Sequence, residues 1–200
     1  MTVAVIGVML RAMGRWEPDA QGRLVKAAME LFSSRGYEQT TVAEIAERAG
    51  LTERTFFRHY GDKREVLFGG GTEFRDSFVD RLDDALASMP ALQAVTTAAQ
   101  AAGASLEERV GRDFASARQR LVSANPALRE RELIKIADVT AAMAEVLRRR
   151  GVEEPEASMT AEIGMAGFRV GFDRWLAPGE RRTLPGLIHE ALGRIPATVG

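Results

Sequence analysis

One stretch, Thr40 to Leu67, constrains the fold more than any other. Thr41 stands three residues before Glu44, the spacing of a reciprocal capping pair, and Val42, Ile45, Ala46 and Ala49 then recur at helical spacing. Gly50 is placed to take a positive φ, Leu51 offers an apolar plug, and Thr52 is placed to cap a second short helix carrying Phe56 and Phe57 inward. Two short helices meeting at a glycine corner predict a helix-turn-helix.

The outward face of that second helix is where chemistry would lie. Glu53, Arg54, Thr55, Arg58 and His59 are hydrogen-bonding side chains on a helix slim enough for a DNA major groove, where base edges present a readable pattern of donors and acceptors. The spacing suits reading rather than catalysis. The alternative is a solvated polar face on an ordinary helical corner, and composition alone favours it. Up to Glu65 the chain carries 10 basic and 9 acidic residues, a surplus of one. Nucleic-acid binding therefore rests on local placement, with Arg54, Arg58, His59, Lys63 and Arg64 clustered within eleven positions.

From Arg23 through Leu67 the chain resembles the DNA-binding domain of TetR-type transcriptional regulators. The matching elements are a first helix ending LFSSRGYEQTT, a second helix VAEIAERAG, a reading helix LTERTFFRHY, and DKREVL at the start of a long linking helix. The resemblance implies an all-α chain, in which an amino-terminal three-helix helix-turn-helix domain is joined by a linking helix to a carboxy-terminal helical bundle that dimerises. It implies phosphate contacts from Thr40, Thr41, His59 and Lys63, and base contacts from Thr52, Arg54 and Thr55, with Arg58 on the same polar face. The family usually has tyrosine where this chain has Phe57, so a phenolic hydrogen bond to phosphate is lost and Phe57 is expected to pack. Arg54 stands where glycine is common, adding a donor able to engage guanine through two hydrogen bonds.

These elements divide the chain into an amino-terminal arm at 1–16, a DNA-binding domain at 17–62, and a helical ligand-binding and dimerisation domain at 63–200. Arg11 and Arg15 of the arm are candidate phosphate contacts. Pro18 and Asp19 supply helix-start chemistry before the apolar stripe of Leu24, Ala27, Ala28, Leu31 and Phe32; Gly36 ends that helix, and Tyr37 closes the three-helix core. Asp62 and Glu65 repeat the capping spacing, so the linking helix is predicted to begin at Lys63. Gly69, Gly70 and Gly71 then interrupt it, at about 1 kcal/mol each relative to alanine, and read either as a hinge or as a simple break.

From Thr72 the periodicity is helical throughout. Phe74, Phe78, Leu82 and Leu86 form one stripe and Leu92, Val95, Ala99 and Ala102 another; Ser105 with Glu108 reads as the cap of a further helix, bearing Leu106, Val110, Phe114, Ala117 and Leu121. Asn125 and Pro126 open the next, with Leu133, Ile136, Thr140, Met143 and Leu147 along it as far as Gly151. By analogy with the family, Phe74, Phe78, Phe114, Met143 and Met159 are candidate lining for a small apolar or amphipathic effector, although each taken singly is ordinary core. Between Glu156 and Leu176, Gly164, Phe168, Gly171 and Trp175 share one face while Ile163, Ala166 and Val170 share its neighbour, and apolar surface on two sides needs two partners. The first face, with Leu187, Ile188 and Ala191 of the last helix, resembles the family's two-helix dimer surface; burial within one chain is the alternative.

The absence of cysteine excludes disulfides and thiolate metal sites, and two histidines are too few for a structural zinc site, so no metal or cofactor is expected. The apolar start, Thr2 to Leu10, is shorter than a membrane span and has no basic leader before it, which points away from membrane and export and towards the cytoplasm. No catalytic constellation is visible: His189 has no evident partner, and Glu107 with Glu108 or Glu153 with Glu154 read as solvated helix ends. The function expected is that of a homodimeric repressor on a palindromic double-stranded DNA operator, released by its effector. A constitutive or architectural DNA-binding protein is the alternative, with a helical enzyme further off.

Overall fold

The computed structural model describes residues 20–69 and 72–194. The readings of Arg11, Arg15, Pro18, Asp19, Gly70 and Gly71 lie outside the described residues. Among those described, the chain forms nine α-helices, one 3-10 turn and no strand. The helices are α1 (Ala20–Arg35), α2 (Val42–Arg48), α3 (Glu53–His59), α4 (Glu73–Ala85), α5 (Ala91–Val110), α6 (Arg112–Ala124), α7 (Pro126–Arg149), α8 (Glu156–Trp175) and α9 (Leu184–Gly193), with the 3-10 turn at Glu65–Phe68. None of them is long and apolar enough to cross a membrane.

Packing divides the chain into two units whose boundary is not a single cut. Among the described residues, the first holds 20–69 together with Asp113–Glu132, and the second holds Thr72–Arg112 and Leu133–Arg194. In the first unit, Leu24, Ala28, Leu31 and Phe32 of α1 close over Ile45, Phe56, Tyr60, Val66 and Leu67, and Val122 and Leu128 are buried in the same cluster. Phe114, Ala117 and Leu121 pack against that cluster too, so the stripe of α6 belongs to the helix-turn-helix core. Phe114 is therefore not part of an effector pocket in the second unit. Its periodicity marked an inward face correctly but carried no information about which core the face would meet.

Arg118 of α6 ties this arrangement down. Its guanidinium donates to the Leu67 carbonyl at 2.8 Å and to Glu132 at 2.9 Å, and lies 4.7 Å over the Phe68 ring. Asp62 caps as expected, accepting from the backbone N–H groups of Arg64 at 2.7 Å and Glu65 at 3.2 Å. The capped segment does not open a long helix, however. It forms a 3-10 turn that stops at Gly69, whose φ of 75° is left-handed, and the next α-helix begins only at Glu73.

In the second unit α4 packs on α5, α5 on α8 and α9, and α8 on α9. The expected break at Ser105 is absent: α5 runs unbroken to Val110 and ends at Gly111, φ 74°. Ser105 instead accepts a hydrogen bond from Arg81 at 3.0 Å in mid-helix. The buried row Ala94, Ala98, Ala99, Ala102 and Gly103 explains why the helix continues, since it lets α9 approach. A Cβ on Gly103 would stand 2.6 Å from Ile188 Cδ1.

Candidate nucleic-acid interface

Local capping builds the reading unit. The Thr41 hydroxyl accepts from Glu44 N–H at 3.2 Å while the Glu44 carboxylate accepts from Thr41 N–H at 2.9 Å, closing the reciprocal box at the start of α2. These bonds from Thr41, joined by the Arg35 guanidinium at 2.8 Å, hold the Glu44 carboxyl below its ordinary range. Gly50 takes φ 66° and Leu51 N–H returns to Ala46 O at 2.8 Å, which turns the chain into α3. Thr52 caps α3, its hydroxyl accepting from Thr55 N–H at 3.2 Å and pairing with the Thr55 hydroxyl at 3.0 Å.

The side chains picked from the sequence meet different fates. Thr40 is 1 % exposed, and its hydroxyl donates to Gly36 O at 2.8 Å, so its oxygen serves the turn after α1. Lys63 is half-buried; its ammonium donates to Tyr37 O at 2.8 Å and Thr40 O at 2.9 Å and lies 4.2 Å over the Tyr37 ring, leaving one of three N–H donors for anything else. Burial alone would raise the Asp62 carboxyl, but the Arg64 side chain and the N–H groups of Arg64 and Glu65 together hold it below its ordinary value. Thr41, Thr52, Arg54 and Arg58 are exposed, with Thr55 and His59 half-buried at the edge of the same helix.

Phe57 corrects the expectation most plainly. Phe56 is fully buried and meets Tyr60 at a tilt, 5.4 Å between ring centroids, whereas Phe57 is 54 % exposed. Adjacent residues on a helix of 3.6 residues per turn point about 100° apart, so a seven-residue helix with one inward face has room there for only one of the two rings. The exposed face of α3 is then Glu53, Arg54, Phe57 and Arg58. The sequence reading also missed Arg23, Lys26 and Arg48, which rim a hollow of about 320 Å³ on α1 and α2, with Glu30 3.7 Å from Arg48.

In the second unit the candidate effector residues do not all converge. Phe74, Phe78 and Phe168 meet edge-to-face at centroid distances of 5.2, 5.4 and 5.3 Å, and Met143 is fully buried. Met159 points away from that core at 60 % exposure, a correction to its placement as pocket lining. The proposed dimer residues are corrected as well. Gly164, Phe168, Gly171, Trp175, Leu187 and Ile188 are all buried inside the chain, with Ala191 half-buried. Gly164 faces Val95 and Met143, Gly167 faces Leu192, and Gly171 faces the backbone of Ile188. Trp175 donates its indole N–H to Glu107 at 3.3 Å, and the same carboxylate accepts from Leu184 N–H at 2.9 Å at the start of α9. Arg112 covers the Trp175 ring at 5.3 Å and donates to the carbonyls of Glu180 and Arg182. The apolar face left bare on α8 is the neighbouring one: Met159, half-buried Ile163, exposed Ala166, and Val170 at 49 %.

Comparison with known proteins matches two separate stretches of the chain. Residues 24–68 match the family model described as bacterial regulatory proteins, tetR family, and residues 89–200 match the model of the MftR C-terminal domain. The HTH-type transcriptional regulator TcmR of Streptomyces glaucescens is 39 % identical over 79 residues, which is 40 % of this chain and 35 % of TcmR. Matches of this kind span about a third of the length of the curated relatives, which are named as regulators. Among solved structures, FadR of Bacillus subtilis in complex with stearoyl-CoA aligns with a TM-score of 0.59 at 16 % identity, covering 89 % of this chain and 98 % of that one. Thermus thermophilus FadR, a repressor in complex with lauroyl-CoA, aligns at 0.54 and 21 % identity, covering 90 % and 95 %. At these identities the likeness is one of fold.

Proposed function

Because the chain belongs to the TetR family of bacterial regulatory proteins, with a carboxy-terminal domain of the MftR type, we propose that it is a sequence-specific DNA-binding repressor that acts as a homodimer and is released by a small amphipathic effector. The observation that carries this reading is the free face of α3: Glu53, Arg54, Phe57 and Arg58 project from a helix fixed by the Thr52 cap and the Gly50 turn. A rigid helix of about two turns with two arginines outward fits a major groove, and Arg54 is the side chain we assign to a guanine edge. Thr41 and the amides opening α2 face the phosphates, aided by Arg58 and His59.

The bare stripe of α8, with Met159, Ala166 and Val170, is the proposed dimer face, since it leaves the chain's own core intact. A two-fold pair repeats the reading helix on two half-sites, which compensates for the few base contacts one α3 makes. For the effector, the long acyl thioesters held by two proteins of the same fold suggest the chemistry to try first.

Selection of bound sequences from a random duplex pool tests the reading directly. A palindromic consensus is expected, and Arg54→Ala should weaken binding to it by about 1–3 kcal/mol while leaving non-specific binding nearly unchanged. Equal loss on both would remove Arg54 from the reading set, and an unselected pool would sink the DNA-binding proposal. Acyl-CoAs of increasing chain length should raise the melting temperature and release the selected DNA; failure of both across the series would favour a constitutive regulator instead.

A further inference from the structure

Phe57 supports an assignment beyond the hydrogen-bonding set. Single exposed apolar side chains are common and by themselves mean nothing. Position is what distinguishes this one. Residues three and four apart share a helical face, so Phe57 stands beside Glu53 and Arg54, with Arg58 next to it, and all of these are exposed. Its ring meets Phe56 edge-on at 5.5 Å, and 54 % of its surface remains open. The threonine hydroxyls flanking the same helix are already engaged with each other at 3.0 Å. The surface α3 offers to a groove is therefore two arginines, one carboxylate and one phenyl ring.

A phenyl ring has no donor for a phosphate, and pressing it on one would strip water from a charge without replacing it. On base edges in the major groove the apolar feature is the C5-methyl group of thymine. We propose that Phe57 is a specificity-determining residue that selects thymine through this methyl group, at one position in each half-site. The inference rests on the DNA-binding reading above and deepens it. Arg54 reads by hydrogen bonding, Phe57 reads by apolar contact, and the two side chains distinguish neighbouring base pairs by different physics.

The test uses the full chain and the duplex selected from the random pool. Each thymine of the half-site is replaced in turn by deoxyuridine, which keeps base pairing and removes only the methyl group. Burial of one methyl corresponds to about a fourfold change in affinity, and to about fifteenfold when both half-sites are altered. The wild-type protein should show that loss at one thymine per half-site. Phe57→Ala should melt like the wild type, because the ring lies mostly in solvent, and should bind the thymine and deoxyuridine duplexes equally. Phe57→Tyr, which keeps the ring, should retain the sensitivity. Wild-type indifference to every deoxyuridine, or a Phe57→Ala variant as sensitive as the wild type, overturns the assignment while leaving specific DNA binding intact. A pool that yields no preferred sequence overturns the DNA-binding reading itself, and this one with it.

Discussion

Replacing Gly171 by alanine should destabilise the second unit, although alanine is the better helix former. An added Cβ would lie 2.7 Å from Ile188 Cγ1 and 2.9 Å from both Ile188 Cα and Ile188 N. Ordinary contacts begin near 3.5 Å, so α9 must retreat by roughly 0.5 Å or more. A side chain could rotate away, but two of these three atoms are backbone. Overpacking costs about 1–3 kcal/mol, and a rigid neighbour puts this case in the upper half of that range. Helix propensity returns about 1 kcal/mol, leaving a net loss of about 1–2 kcal/mol, or roughly 5 °C or more in melting temperature. Gly193 sits in open space at the end of α9, so Gly193→Ala should be neutral or slightly stabilising. Gly164 supplies a second contrast, because the atoms its Cβ would meet belong to the side chains of Val95 and Met143. Val95→Ala should relieve Gly164→Ala, whereas Ile188→Ala should not fully relieve Gly171→Ala. Thermal unfolding of the singles and doubles decides the matter. A Gly171→Ala protein that melts higher, as Gly193→Ala should, would mean that α9 does not lie against this face.

Two further perturbations probe the interface surfaces. Val170→Glu places a charge on the bare stripe of α8 twice in a symmetric pair, and should weaken association roughly 100-fold or more, about 2.8 kcal/mol, with monomer melting unchanged; equilibrium sedimentation reads this, and an unaltered dimer would place the interface elsewhere. Phe168→Ala, by contrast, should lower stability by about 3–5 kcal/mol because its ring is core. The Glu44 carboxyl is held below its ordinary value of 4.5, so what it contributes to folding is complete above that pH and is lost as pH falls through the folded-state value. Glu44→Gln keeps the capping geometry without the charge, so the melting advantage of the wild type over this variant should shrink to nothing on acidification; a gap that stays constant with pH would show that the charge contributes nothing.

What could be read from the sequence was local. The Thr41–Glu44 box, the Thr52 cap and the left-handed Gly36 and Gly50 are decided within four or five residues, and each formed where the spacing placed it. Errors came where two local signals competed. Ser105 with Glu108 had capping spacing, but the row of alanines through Ala102 and Gly103 packs beneath α9 and keeps the helix running to the glycine that can end it, Gly111. Phe57 departs from expectation because apolar character does not mean inwardness on a helix too short to hide two consecutive rings. Phe114 departs for a different reason: joining residues 113–132 to a core built mostly before Gly71 is a non-local event that no window of periodicity contains.

The two faces of α8 show how residue size resolves an ambiguity that periodicity leaves open. Both faces are apolar, and either could have met a second copy. Gly164, Gly167 and Gly171 are unfavourable in a helix interior and persist only where something comes within reach of the backbone. In this chain the partners are already present: α9 follows α8 after a short connection, and Leu192 and Ile188 fill the space at Gly167 and Gly171, while Val95 and Met143 fill it at Gly164. The neighbouring face carries Met159, Ile163 and Val170, which are bulky and offer no such notch. Small residues thus mark the seam between helices of one chain, and large uncovered residues mark surface that the chain does not cover itself. On that argument Gly167→Ala should disturb folding and leave self-association to follow, whereas Val170→Glu should disturb self-association first.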